Sequence, residues 1–326
     1  MKKQINVVYN PVIIGLFSYS NSHITARTIN GVQYLVNEKQ LRKARISLRA
    51  KIPIADLLVD NGIYDFNDLA VEKQEEIKAK LMDKLTFSAQ EIYMFCCLLD
   101  LYLSNYPKID FTHIHSNIRS LGRLDLGNER DFKTLYAYKN AIKKLKNKIL
   151  RVEIEQCNPR IYGVSNKNFT QNLLLLEEDR FNLGNLAYLI SLSEQYSDEY
   201  MPQEIFDCRL NQMSKFLLAY IISYEIYSYK RNNPHIKYYE VKMQTLMKKI
   251  PYFRKNGTNS NMNMYQYIQS SKSKTQIINR FYRNCIEILD IYTDNNIISS
   301  YYITPNLRNV SVKDFEKIKF CVNLLG

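Results

Sequence analysis

Residues 214–229 read SKFLLAYIISYEIYSY, a long apolar helix by the spacing of its side chains. Such a helix has to be enclosed, by other elements or by lipid. Lipid is disfavoured: a span needs about 20 predominantly apolar residues, and the densest apolar run, FLLAYII, stops at Ser223. The chain must therefore build its own core. Its 326 residues, 46% of them hydrophobic, suffice for one large core or two ordinary ones, with two the better expectation.

The same local plan is expected twice. In the first copy Ile92, Phe95, Cys96, Leu99, Tyr102 and Leu103 recur at helical spacing, Ser88 and Glu91 form a capping box, and Pro107 lies beyond the end. A short extended piece, 108–111, precedes a second helix capped by Thr112 with Ile114, Ile118 and Leu121 on one face. A third helix places Phe132, Leu135, Ile142, Leu145 and Ile149 inward and its lysines outward. ILRVEIEQC and FTQNLLLLEED then read as paired strands. In the second copy the 214–229 helix is followed by extended IKYYEV and a short helix, KMQTLMKKI, ended by Pro251. A long polar loop, RKNGTNSNMNM, then leads to a third helix facing inward through Ile278, Phe281, Cys285, Ile288 and Tyr292, and to a strand, IISSYYI. Helix, short strand, two helices and a two-stranded wing is the winged-helix order. The fold expected is mainly α with small β wings (α+β): two tandem winged-helix domains, 84–180 and 181–326, after an N-terminal extension, 1–83, of unassigned role.

Charge identifies the partner. The chain carries +13, and the whole of the excess sits in two windows, 130–151 and 230–255, each with eight basic side chains against one acid. A solvated helix face mixes its signs, whereas single-sign clusters favour a polyanion. Double-stranded DNA is the leading candidate. In helix-turn-helix proteins the third helix enters the major groove while flanking cations grip phosphate. The candidate contacts are Arg130, Lys133, Lys139, Asn140, Lys143 and Lys144 in the first unit, Arg160 and Lys167 in its wing, and Lys242, Lys248, Lys272, Lys274, Gln276, Asn279, Arg280 and Arg283 in the second. Asn and Gln can read adenine and Arg guanine. The 26 tyrosines suggest base stacking as well, although most fall on apolar faces and suit packing better.

YMPQEIFDCRLNQMSKFLLAYIISYEI, YYEVKMQTLMKKIPYF and RFYRNCIEILDIY together resemble the C-terminal winged helix of plasmid replication initiator proteins with tandem winged-helix domains. The matches are Met201, Pro202, Ile205 and Phe206 for a Met-Pro before a Leu-Phe-x-Ile strand, then Val241, Lys242, Leu246 and Pro251, then Ile277, Ile278, Arg280 and Phe281. The chain departs from the family at Gln212-Met213, where an Asn-Pro is common, and at Ser223-Tyr224-Glu225, where a Gly-Arg-Lys is. The resemblance implies binding to origin repeats, melting of nearby AT-rich DNA, a homodimer, a host replication initiator and helicase as further partners, and a bacterial, nucleoid- or plasmid-associated location in the cytoplasm. No cofactor or metal is expected.

A transcriptional regulator of a mobile element would use the same contacts. A rolling-circle nickase is the enzymatic alternative: His113 and His115 would hold a metal and Tyr136 would attack phosphate. On the expected helix, however, the two histidines lie about 200° apart. Gly122 to Gly127 begins a phosphate loop, but Asn128 and Glu129 stand where its Lys and Ser/Thr belong. The six cysteines form no C-x-x-C pair and none of the four histidines falls at zinc spacing beside them, which points to a reduced, metal-free, non-enzymatic protein.

Overall fold

The structure, a computed structural model, describes residues 4–7, 24–41, 46–57, 65–96, helical positions 129, 136–137, 140–141 and 144, then 152–155, 170–171, 175–177, 180–182, 199–206, 213–253 and 259–325. Its described residues make an α+β protein with small antiparallel sheets.

Among the described residues, two antiparallel sheets lie between residues 24 and 182. β2 (Ile24–Ile29), β3 (Val32–Leu41), β4 (Ile46–Pro53), β5 (Val152–Glu155) and β6 (Thr170–Gln171) form one five-stranded antiparallel sheet in that order, and β7 (Leu175–Glu177) pairs with β8 (Arg180–Asn182). Asn30-Gly31 turns β2 into β3, both residues at positive φ (52° and 79°), as a two-residue hairpin of this hand requires. The expected strand pair is present, Val152 opposite Gln171 and Glu153 opposite Thr170, but the other edge of β5 pairs with β4. The 1–83 segment therefore shares a sheet with residues beyond it. β1 (Gln4–Val7) likewise pairs with β9 (Glu199–Pro202).

α1 (Val71–Leu85) follows, then a helical run over residues 89–96, whose capping box is formed: Ser88 N–H donates to Glu91 at 2.9 Å and Glu91 N–H to Ser88 Oγ at 3.2 Å. That run buries Ile92, Tyr93, Phe95 and Cys96, and Tyr93 packs edge-on against Phe216 with ring centroids 5.2 Å apart. The remainder of this expected helix, the 112–122 helix and most of the 130–149 helix lie outside the described residues.

α2 (Met213–Asn232) explains the apolar sequence from which the chain has to be read. Every residue from Phe216 to Ile226 is buried, so the helix is enclosed on all sides. Its buried polar groups are matched: Ser223 Oγ donates to the Tyr292 hydroxyl at 2.5 Å, and Glu225 is ion-paired with Lys249 and accepts from the Tyr239 hydroxyl at 3.3 Å. Burial and the Glu225 charge push the Tyr239 phenol up. The Tyr292 hydroxyl in turn donates to Ala219 O at 2.7 Å, tying α2 to the last helix. Tyr292→Phe leaves that buried carbonyl and Ser223 without this partner, and the expected loss is about 1–2 kcal/mol in chemical unfolding.

Beyond α2 come β10 (Tyr238–Lys242), α3 (Met243–Lys249), β11 (Pro251–Phe253), β12 (Asn259–Asn263), α4 (Met264–Ser270), α5 (Lys274–Asp294), β13 (Ile298–Thr304) and β14 (Lys319–Leu324). β14 is central between β10 and β13. Tyr239, Val241, Phe320 and Val322 from one face of this sheet meet Ile222 and Ile226 of α2 and Leu289 of α5 around a shared internal space.

Three sequence expectations need correction here. The polar stretch before the third helix is not wholly loop, since Asn259–Asn263 forms β12 on β11 and a further helix, α4, follows. An Asn263/Gln266 capping box starts α4, with both reciprocal hydrogen bonds made at 2.8 and 3.0 Å. Residues 203–206, matched to a family strand, form a short helix directly after β9, with Ile205 buried.

Candidate nucleic-acid interface

α5 is amphipathic at helical spacing. Ile277, Ile278, Phe281, Tyr282, Cys285, Ile288, Leu289 and Tyr292 are buried, which fixes the opposite face toward solvent. Gln276, Arg280 and Arg283 fall on that face at steps of four and three, and all are exposed. Lys272, in the three-residue turn that separates α4 from α5, is exposed, and Lys274 at the first helical position is half-buried. None of these five has an ion-pair partner among the described residues. The chain has no acid between Tyr267 and Arg283, and the first one after it, Glu287, is bridged to Lys215 at 2.5 Å. The positive end of the helix dipole adds to the same field. The N-terminal half of α5 is thus a row of uncompensated donors suited to an anion.

Asn279 does not belong to that row. It is only 7% exposed, and its amide is committed: Nδ2 donates to Val310 O at 2.9 Å and to Thr275 O at 2.8 Å, while Oδ1 accepts from Val310 N–H at 2.8 Å. An amide holding both polar groups of one buried backbone unit has no capacity left for an adenine. Its role is to fasten the β13–β14 connection to α5. That connection, residues 305–318, turns Val310, Phe315 and Ile318 inward and leaves Arg308 and Lys313 exposed without ion partners among the described residues. Sequence reasoning missed both cations, and the alternation of Phe320, Val322 and Leu324 that marks β14 was the signal for the hairpin they sit on.

The other candidates are dispersed. Lys248, in the last turn of α3, is exposed and its Nζ lies 4.9 Å from the centroid of Tyr265. Lys242, at the end of β10 and immediately before α3, lies on the sheet face opposite the one packed on α5, and so does not join the row. Asn140 is half-buried and Lys144 exposed, both helical, flanking the buried Ala141 and consistent with an amphipathic segment. Arg130, Lys133, Lys139, Lys143, Arg160 and Lys167 lie outside the described residues, as do His113 and His115. Tyr136 is helical and 62% exposed.

No family model, curated protein or solved structure matches the chain. Among the described residues no helix is long and apolar enough to cross a membrane, and no group of three or more His, Cys, Asp or Glu side chains is placed to hold a metal ion.

Proposed function

We propose that the protein binds double-stranded DNA sequence-specifically through tandem winged helices and initiates replication of a plasmid or related mobile element at origin repeats. The observation that carries the reading is the row formed by Lys272, in the turn before α5, and Gln276, Arg280 and Arg283 on the solvent face of α5, its cations without ion partners among the described residues. The order of elements around it supports the reading: a long helix (α2), a strand (β10), further helices that end in α5, and an antiparallel strand pair (β13 and β14), with the β11–β12 hairpin inserted between α3 and α4. In this reading α5 lies in the major groove, Arg280 and Arg283 read guanine, Gln276 reads adenine, and Lys272 and Lys274 meet phosphate. The 305–318 connection is the wing, with Arg308 and Lys313 on the adjoining backbone. The tandem arrangement and the initiation role rest on the sequence resemblance, and the basic segment 130–149 is the expected counterpart of α5 in the first unit.

A salt titration tests the phosphate part. Replacing Lys272 and Lys274 by alanine is expected to weaken preferred and random duplex alike, and to flatten the slope of log affinity against log salt by about 0.9 for each phosphate that is no longer neutralised. An unchanged slope removes these lysines from the interface.

A further inference from the structure

The outer face of the three-stranded sheet holds a feature that duplex binding does not use. Tyr239, Val241, Phe320 and Val322 point into the core, and the Tyr301 hydroxyl donates to Asp290 of α5 at 2.5 Å, so the alternate residues face away from α2 and α5. Strand register arranges nine of them in three rows. Tyr238, Asn323 and Ser300 form the first, Glu240, Cys321 and Tyr302 the second, and Lys242, Lys319 and Thr304 the third.

Cys321, at the centre of this outward face, is nevertheless 0% exposed. Its cover comes from the flanking strands. The rings of Tyr238 and Tyr302 lie 26° from parallel with centroids 6.2 Å apart, and their hydroxyls meet at 3.0 Å across the central strand. The Tyr238 hydroxyl is also hydrogen-bonded to the Cys321 thiol, so the two tyrosine side chains lean toward each other over the central strand. Tyr302 is 51% exposed. Hydrogen bonds to Cys321 and Tyr302 push the Tyr238 phenol up. Around the platform, Glu240 is neutralised by Lys319 at 2.8 Å, Lys242 is exposed with no ion partner among the described residues, and Asn323 and Ser300 supply polar groups.

We propose that this face binds single-stranded DNA, a base stacking on the Tyr238–Tyr302 platform with the backbone running past Lys242. A flat aromatic surface beside uncompensated positive charge fits an unpaired strand, whose bases expose their π faces, and not a duplex, whose bases are stacked on one another. The choice of DNA rests on the duplex-binding reading, and the platform lies on a different face from α5.

The chain contains no tryptophan, so Tyr302→Trp supplies a single reporter on the platform itself. Titrating the full-length variant with a thymidine oligomer of about ten nucleotides is expected to quench its emission to saturation. Tyr302→Ala is expected to weaken that oligomer by about fivefold to a hundredfold, while Tyr302→Phe binds as the native chain and duplex affinity changes less than twofold in all three. Tyr302 lies on an edge strand and is exposed, and unchanged thermal unfolding checks that the variants fold. Oligomer binding equal in Tyr302→Ala and the native chain, or indole emission of the Tyr302→Trp variant that the oligomer leaves unaltered, overturns the site. So does a uridine oligomer bound more tightly than the thymidine one. Concentration-dependent sedimentation abolished by Tyr302→Ala would instead make the face a contact between copies of the chain, and also overturns it. The duplex reading fails separately, by unaltered duplex discrimination when Arg280 and Arg283 are removed.

Discussion

Replacing Arg280 and Arg283 together by alanine is expected to lower affinity for the preferred duplex on the order of thirtyfold to a thousandfold, with a much smaller loss on random duplex. Each arginine stands on the exposed side of α5 with no ion partner among the described residues, so neither is held by an internal bridge whose loss would unfold the chain. A bidentate pair with guanine is worth about 1–3 kcal/mol of discrimination. Phosphate contacts, by contrast, carry no sequence information, and their removal weakens every duplex equally. The measurement is therefore the ratio of the two affinities at one fixed salt concentration. A ratio that stays constant while both affinities fall would turn Arg280 and Arg283 from readers into backbone contacts. Thermal unfolding of the double variant is expected to match the native chain, since surface substitutions of this kind usually stay within about 0.5 kcal/mol.

Asn279→Ala is expected to behave in the opposite way, losing stability rather than discrimination. The substitution strands the N–H and C=O of Val310, both bonded to the Asn279 amide in a residue with no solvent exposure. A buried backbone group left without a partner costs about 1–3 kcal/mol, so a loss of about 2–4 kcal/mol in chemical unfolding follows for the pair. Asn279→Asp is expected to fall at least halfway toward the alanine variant: a carboxylate still accepts from Val310 N–H but cannot donate to Val310 O. Because the same two bonds fasten the 305–318 connection to α5, Asn279→Ala is also expected to increase amide exchange at Val310 and its neighbours. Native stability in Asn279→Ala, paired with a reduced affinity ratio, would restore this side chain to the reading face.

The contrast between Arg280 and Asn279 shows how far the sequence could be read. Helical spacing placed Ile278, Phe281, Cys285, Ile288 and Tyr292 on one side of α5, and each is buried. Position 279 lies at the margin of that stripe, where whether a polar side chain faces water depends on what packs beside it. Here the neighbour is Val310, thirty-one residues further on, which no periodicity within the helix encodes. α2, β10, α3 and β13 were legible for the same reason as α5: their apolar patterns are local and strong. β12 was not, because Asn259, Asn261 and Asn263 are poor strand formers held extended by pairing with Pro251–Phe253. The 24–53 strands went unread although Asn30-Gly31 is a strong hairpin signal, and their link to β5, about a hundred residues distant, is a tertiary fact that charge and hydropathy do not carry. The basic clusters raised the expectation of a polyanion but did not single out the row, since Lys242 and Lys272 look alike in sequence and lie on different faces of the structure.

Selection from a random duplex library by the full-length chain at physiological salt, followed by sequencing and affinity measurement, tests sequence-specific duplex binding most directly. The expected result is enrichment of one motif bound at least about a thousandfold more tightly than random duplex, with enrichment abolished by Arg280→Ala/Arg283→Ala. A pool that stays unenriched through successive rounds, with affinities set by ionic strength alone, would contradict sequence-specific recognition and reduce the cationic row on α5 to a general polyanion surface.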